Sequence, residues 1–258
     1  DYCAANSSQL DITRPASVKK ILNKVFPDVI INCAAYNAVD LAEDEWERAY
    51  LVNGIGVKNL ALAANELNVV LVHFSTDYVF DGQARRPYTI AHIPCPINRY
   101  GESKLLGEMV VRDLCDSYLL IRVSWVFGAG NINFVKKVFE LSNARKEISF
   151  VTDQISSPTY TRDLAQATID LLELKSRGLY HITNSGYCSR FEWAEYILKK
   201  IGWDGMLTQG KSQDFPSAAR RPYFSVLDNF GTTETLGYVL PDWKDATDRF
   251  LREVGAIK

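Results

Sequence analysis

The chain has 258 residues, 47% of them apolar and 23% charged, with 29 Lys plus Arg against 31 Asp plus Glu for a formal charge of −2. That is ordinary composition for one large or two unequal globular domains; with no long block of either sign and no apolar run near the roughly 18 residues that span a bilayer, nucleic acid and membrane drop out as expected partners. Five cysteines, odd in number and outside any C-x-x-C, and three scattered histidines argue against a disulfide framework or a metal site, and point to reduced thiols in a cytoplasm.

In chain order, Thr13-Arg14-Pro15 opens a helix, with Val18, Ile21, Leu22 and Val25 at helical spacing and Pro27-Asp28 as its stop. Val29 to Ala35 reads as a short strand buried on both faces. Residues 43–66 read as helical, and a second buried run covers Val69 to Phe74. A loop rich in Gly and Pro follows over 81–97, then a helix over 99–112 and a strand over 118–124. This alternation predicts an α/β fold, a doubly wound parallel sheet. Beyond 145 come a break at Ser156-Ser157-Pro158-Thr159, a helix over 161–174, a strand over 178–183, a helix opened by the capping box Ser189-x-x-Glu192, and a final helix after Pro241. The expected division is a dinucleotide-binding domain over 1–146 and a smaller substrate lobe over 147–258, with part of 161–187 returning to the sheet. His73, Cys33 and Cys115 lie in or beside apolar runs and read as core residues.

Ligands of open α/β sheets bind beyond the carboxyl ends of the strands, which singles out Ser75-Thr76-Asp77-Tyr78, Ala34-Ala35-Tyr36-Asn37 and Ser124-Trp125. The small Ala34 and Ala35 would let a flat ligand approach the backbone. On the following helix, Tyr100 and Lys104 are four residues apart and share a face. A cation beside a phenol favours its ionised form, which suits a proton donor or acceptor for carbonyl–alcohol interconversion, a service worth roughly 10²–10⁴-fold. The spacing alone is weak, because Tyr196 and Lys200 repeat it within an amphipathic helix. A strand-end hydroxyl, a loop and then a Tyr/Lys helix is a more specific layout. Arg220 and Arg221 read either as a grip for a diphosphate or as a solvated turn.

The runs Ser75 to Gly82, Tyr100-Gly101-x-Ser103-Lys104-Leu105-x-Gly107-Glu108, Arg122-x-Ser124-Trp125-Val126 and Asp153-Gln154 closely resemble the dTDP-4-dehydrorhamnose reductases of the extended short-chain dehydrogenase/reductase superfamily. Asn32 to Asp40, Ser157-Pro158-Thr159 and Arg221-Pro222 fit the same pattern, in order, over nearly the whole chain. The resemblance implies a catalytic triad of Thr76, Tyr100 and Lys104, with Tyr100 protonating the sugar C4 oxygen, Thr76 bonding that oxygen, and Lys104 holding the nicotinamide ribose and lowering the Tyr100 pKa. It implies NADPH or NADH as cofactor, met by Asp11, Ile12, Ala34, Ala35, Tyr36, Ser75, Tyr100 and Lys104. A dTDP-sugar substrate would meet Asn37, Val39, Asp77, Tyr78, Trp125 and Asn133, although Ile132 separates Asn131 from Asn133 where the family has adjacent asparagines. No metal is implied, and a homodimer is compatible.

The chain opens where the family's second strand ends, so the Gly-rich turn of a dinucleotide-binding unit, roughly 25–30 residues, is expected ahead of Asp1. Two further functions stay open from sequence. One is epimerisation or dehydration in the same superfamily, for which Asp77 is the only obvious acidic candidate. The other is a cofactor-binding regulatory subunit, since the β subunit of methionine adenosyltransferase resembles this family too.

Overall fold

A computed structural model describes residues 2–130 and 133–257. Helix α1 (Pro15–Val25) starts with its proline in the first turn, where the missing N–H costs nothing, and ends at Phe26 in the left-handed region. Strand β1 (Val29–Asn32) leads to α2 (Trp46–Tyr50), one π-helical stretch over 51–56 and α3 (Val57–Leu67), so the helical reading of 43–66 is interrupted by a widened turn. Strand β2 (Val70–Thr76), α4 (Arg99–Leu114) and β3 (Tyr118–Val123) follow, α4 capped by the Asn98 side chain on Gly101 N. The main sheet has the order β1-β2-β3-β8, every pair parallel, with β8 at Gly178–His181. Parallel strands end on one edge, which gathers the loops after Asn32, Thr76 and Val123.

After β4 (Val126–Phe127) come α5 (Phe134–Ala144), β5 (Glu147–Val151), β6 (Ile155–Ser156), β7 (Thr159–Tyr160) and α6 (Thr161–Glu173). The break expected at 156–159 is thus two short strands. Beyond β8 lie β9 (Cys188–Ser189), α7 (Arg190–Lys200), β10 (Met206–Gly210), α8 (Phe230–Leu236) and α9 (Trp243–Glu253). The Ser189–Glu192 capping box forms as read from sequence.

Two cores sandwich the sheet. Ile12, Val18, Leu22, Ile30, Leu60 and Leu71 pack under α1 and α3, while Val72, Leu119, Ile121, Leu164, Leu171 and Ile182 pack under α6. Residues 161–182 therefore return to the sheet. A separate aromatic core built on Phe127, Tyr160, Trp193, Trp243 and Phe250 holds the smaller lobe together. Val135 and Val138 of α5, which the sequence reading put with the dinucleotide-binding domain, pack in that aromatic core. Two other expectations change. Within β1, Ile30 is buried and Ile31 is 49% exposed, and Cys33 just beyond it is exposed while Cys115 is buried.

Candidate active site

Thr76 ends β2 with its side chain 6% exposed. Its hydroxyl accepts from Tyr78 N at 3.2 Å and donates to Asp77 Oδ1 at 3.0 Å, and the first turn of α4 brings the Tyr100 phenol beside it. Tyr78 lies edge-on to Tyr100, with ring centroids 5.8 Å apart. This approach depends on Gly101, since a Cβ there would sit 2.2 Å from the Tyr78 carbonyl oxygen. Lys104, one turn further along α4, is buried with its ammonium donating to Phe74 O at 2.6 Å. The three triad residues therefore converge on the end of β2.

Their electrostatics depart from expectation in one respect. Burial pushes the Tyr100 phenol well above its ordinary pKa; the Thr76 hydrogen bond opposes this, and Asp77 and Tyr78 add to it. Lys104 does not lower it, because its ammonium is turned onto the β2 backbone. Lys104 itself is pulled down to about 8 by burial, with Glu108 resisting. The phenol is thus firmly protonated at neutral pH, the state a proton donor requires.

Asp77 is 2% exposed; its Oδ2 accepts from Ser225 at 2.5 Å and from Ser156 at 3.4 Å, and its Oδ1 accepts from Thr76. Burial nevertheless raises it to about 6. Arg221 lies near the Tyr78 phenol and its fork grips Asp40 at 2.7 and 3.1 Å. Asp40 thus occupies Arg221, one of the two arginines considered for a diphosphate; Arg220 is exposed.

The loop after β1 places Ala34 exposed, with Ala35 and Tyr36 half-buried. It is held by Asn53, a residue of the π-helical stretch that sequence reasoning missed. Asn53 accepts from Tyr36 N at 2.8 Å, donates to Tyr36 O at 3.0 Å and donates to Ser103 of α4 at 2.9 Å. One buried amide thereby ties the loop to the helix that carries Tyr100 and Lys104. Asn37 is exposed and Val39 half-buried on the same loop.

Other expected contacts are engaged elsewhere. Ser75 points away from the cleft and donates to Glu108 at 2.5 Å, because alternate strand residues face opposite sides; any cofactor contact it makes is through its backbone. The Asp11 carboxylate accepts from Thr13 and pairs with Arg14, and the Ile12 side chain is core. Asn133 caps α5 through Lys136 N and donates to Gly128 O, while Asn131 and Ile132 lie outside the described residues. Trp125 adopts φ +43°, a strained left-handed conformation for a bulky residue, stacks on Trp193 at 5.8 Å and carries the Arg190 guanidinium 3.6 Å above its ring. His73 is fully buried, its Nδ1 bonded to Asn32.

Beneath the site, Glu108 and Arg122 form a two-bond pair at 2.6 and 2.8 Å, both 1% exposed. Neither was read as a pair from sequence, as they sit on different elements. Through Ser75 the pair ties the end of β2 to α4 and β3, fixing Thr76 relative to Tyr100.

The residues present fit a nicotinamide dinucleotide: a small-residue loop, a buried ammonium with protons to spare, and a phenol–hydroxyl pair for a carbonyl oxygen. Comparison with known proteins agrees. The family description "RmlD substrate binding domain" matches residues 1–256. The chain is 37% identical over 253 residues to the spore coat polysaccharide biosynthesis protein SpsK of Bacillus subtilis, covering 98% of this chain and 89% of that one. It is 36% identical to a dTDP-4-dehydrorhamnose reductase of Burkholderia thailandensis, covering 95% and 88%. The crystal structure of a dTDP-4-dehydrorhamnose reductase from Bacillus anthracis in complex with NADP superposes with TM-score 0.95 at 38% identity, covering 98% of this chain and 90% of that one. By sequence match and by fold, the chain belongs to the RmlD substrate-binding-domain family.

Proposed function

We propose that the protein is an NAD(P)H-dependent oxidoreductase that reduces the C4 ketone of dTDP-4-dehydro-6-deoxy-L-mannose to dTDP-L-rhamnose, a donor for cell-envelope polysaccharide, in the cytoplasm. The observation that carries this reading is the Tyr100 phenol set beside Thr76 at the end of β2, with Lys104 one helical turn away. Reduced nicotinamide, when bound, supplies hydride. Tyr100 donates its proton to the C4 oxygen as charge develops there, and Thr76 holds that oxygen in line. Lys104 holds the ribose and supplies positive charge near the phenol as Tyr100 loses its proton. Ala34, Ala35 and Tyr36 line the dinucleotide, and Tyr78 faces the sugar, while the Asp77 carboxylate, expected to join it, is taken up by Thr76, Ser156 and Ser225.

Asp77 does not favour a dehydratase, since three hydroxyls surround its carboxylate and leave it no free face for acid catalysis. The test is absorbance at the reduced-nicotinamide band with the full-length protein, NADPH and dTDP-4-dehydro-6-deoxy-L-mannose. Stoichiometric oxidation is expected. Tight NADPH binding with no oxidation assigns the regulatory-subunit role instead.

A further inference from the structure

Four arginines among the described residues are not solvent-exposed: Arg122, Arg190, Arg221 and Arg249. Three have their forks filled by a carboxylate through two bonds. Arg122 takes Glu108, Arg221 takes Asp40, and Arg249 takes Asp163 at 2.6 and 2.8 Å. Arg190 alone has neither a carboxylate within 4 Å nor a side-chain hydrogen bond among the described residues.

Its surroundings hold it without satisfying it. The guanidinium lies 3.6 Å above the Trp125 ring, 4.7 Å from that of Phe134 and 5.9 Å from that of Trp193. Aromatic faces stabilise a cation yet leave its in-plane N–H groups unspent. The backbone is equally fixed, as the first residue of α7 with its N–H on Gln154 O. Burial lowers the Arg190 pKa to about 10, with Tyr78 and Asp77 near enough to oppose the shift. A half-buried guanidinium with an open planar fork matches the oxygens of a phosphate.

A cavity of about 580 Å³ opens beside it, lined by Phe134, Phe150, Lys137, Arg145 and Gln154 among others. This side of the cleft belongs to the smaller lobe, away from the Ala34–Tyr36 loop. We propose that Arg190 is the diphosphate-binding residue of the sugar-nucleotide site and that the adjacent cavity takes the nucleoside end. The proposal rests on the reductase reading only for the identity of the nucleotide. Held there, the diphosphate fills the fourth fork as Glu108, Asp40 and Asp163 fill the others, and the sugar extends past Tyr78 toward Tyr100. Arg190 then sets affinity and register of the substrate, while the proton donor is supplied from the other lobe.

The test is calorimetric titration of the protein with dTDP, with thymidine and with NADPH, alongside Arg190→Gln and Arg190→Lys. Arg190→Gln is expected to weaken dTDP by about 10²-fold, the worth of charge-assisted hydrogen bonds, while NADPH and thymidine keep their affinity. Arg190→Lys, which keeps the charge and loses the fork, falls in between. dTDP should raise the melting temperature of the unaltered protein and no longer raise that of Arg190→Gln. Unchanged dTDP affinity in Arg190→Gln overturns the proposal. So does a loss confined to NADPH, which assigns the residue to the cofactor's pyrophosphate, and so does failure of the unaltered protein to bind dTDP. Because the readout is binding, absence of turnover in the reductase assay would sink the reaction while leaving Arg190 as an anion clamp.

Discussion

Two helices of this protein carry tyrosine and lysine at the same four-residue spacing, and their surroundings make them opposites. On α7, Tyr196 donates to Asp248 at 2.9 Å and Lys200 binds the other oxygen of the same carboxylate at 2.6 Å. That bond pushes Lys200 above its ordinary pKa, and both polar ends are spent. On α4, neither Tyr100 nor Lys104 is bonded to a carboxylate: one lies beside a hydroxyl, the other bonds a backbone carbonyl, and Lys104 is pulled down to about 8. Spacing brings a phenol and an ammonium to one helix face. The neighbouring strand decides whether they are free to act.

The largest effect separating the pairs should come from Tyr100→Phe. Turnover is expected to fall by at least about 10² with NADPH affinity nearly intact, measured by steady-state kinetics and calorimetry; full turnover would remove Tyr100 from the mechanism. Next is the pH profile. With Lys104 at about 8 in the unliganded protein, kcat/KM should decline above about pH 8. The folded chain then binds fewer protons at Lys104 than the unfolded chain between about 8 and 10.5, so this residue's contribution to stability rises over the same window. Activity lost at rising or constant stability is the signature, and a flat profile to pH 10 would contradict it.

Asp77 gives a smaller effect of opposite direction. Its carboxyl is raised from 3.8 to about 6, so the folded chain holds that proton more tightly and stability is lost as pH rises from about 4 to about 6. Denaturation of Asp77→Asn, which cannot ionise, should lack this slope, a difference on the order of 2–3 kcal/mol across the window. Identical pH dependence in both proteins would show that Asp77 ionises normally. Least of all should be Tyr196→Phe, with kcat/KM within about twofold of the unaltered protein, since a solvent-side hydrogen bond contributes little. A large loss there would erase the contrast between the pairs.

What could be read from sequence was local in the chain. The strand–helix rhythm, the capping box at Ser189 and the Tyr100/Lys104 face each depend on residues within one or two turns of each other. The Asn53 clamp, the Glu108–Arg122 pair and the Asp77–Ser225 bond join positions 17, 14 and 148 residues apart, and no periodicity announces them. Arg190 was hidden for a different reason. It follows a Ser that caps a helix, where any residue is tolerated, and only its lack of a carboxylate distinguishes it from Arg221 and Arg249. Lys104's orientation was likewise invisible, because a shared helix face does not specify which acceptor the side chain reaches.

The bare α-carbon of Gly101 sets main chain against main chain, so the gap separating acid from strand tip is indifferent to what lines the rest of the cleft. Residues of the smaller lobe that do not touch Asp77 can therefore vary without changing that gap. Conversely, even one methyl group at Gly101 would pry the two halves of the catalytic apparatus apart while leaving every reactive side chain in place.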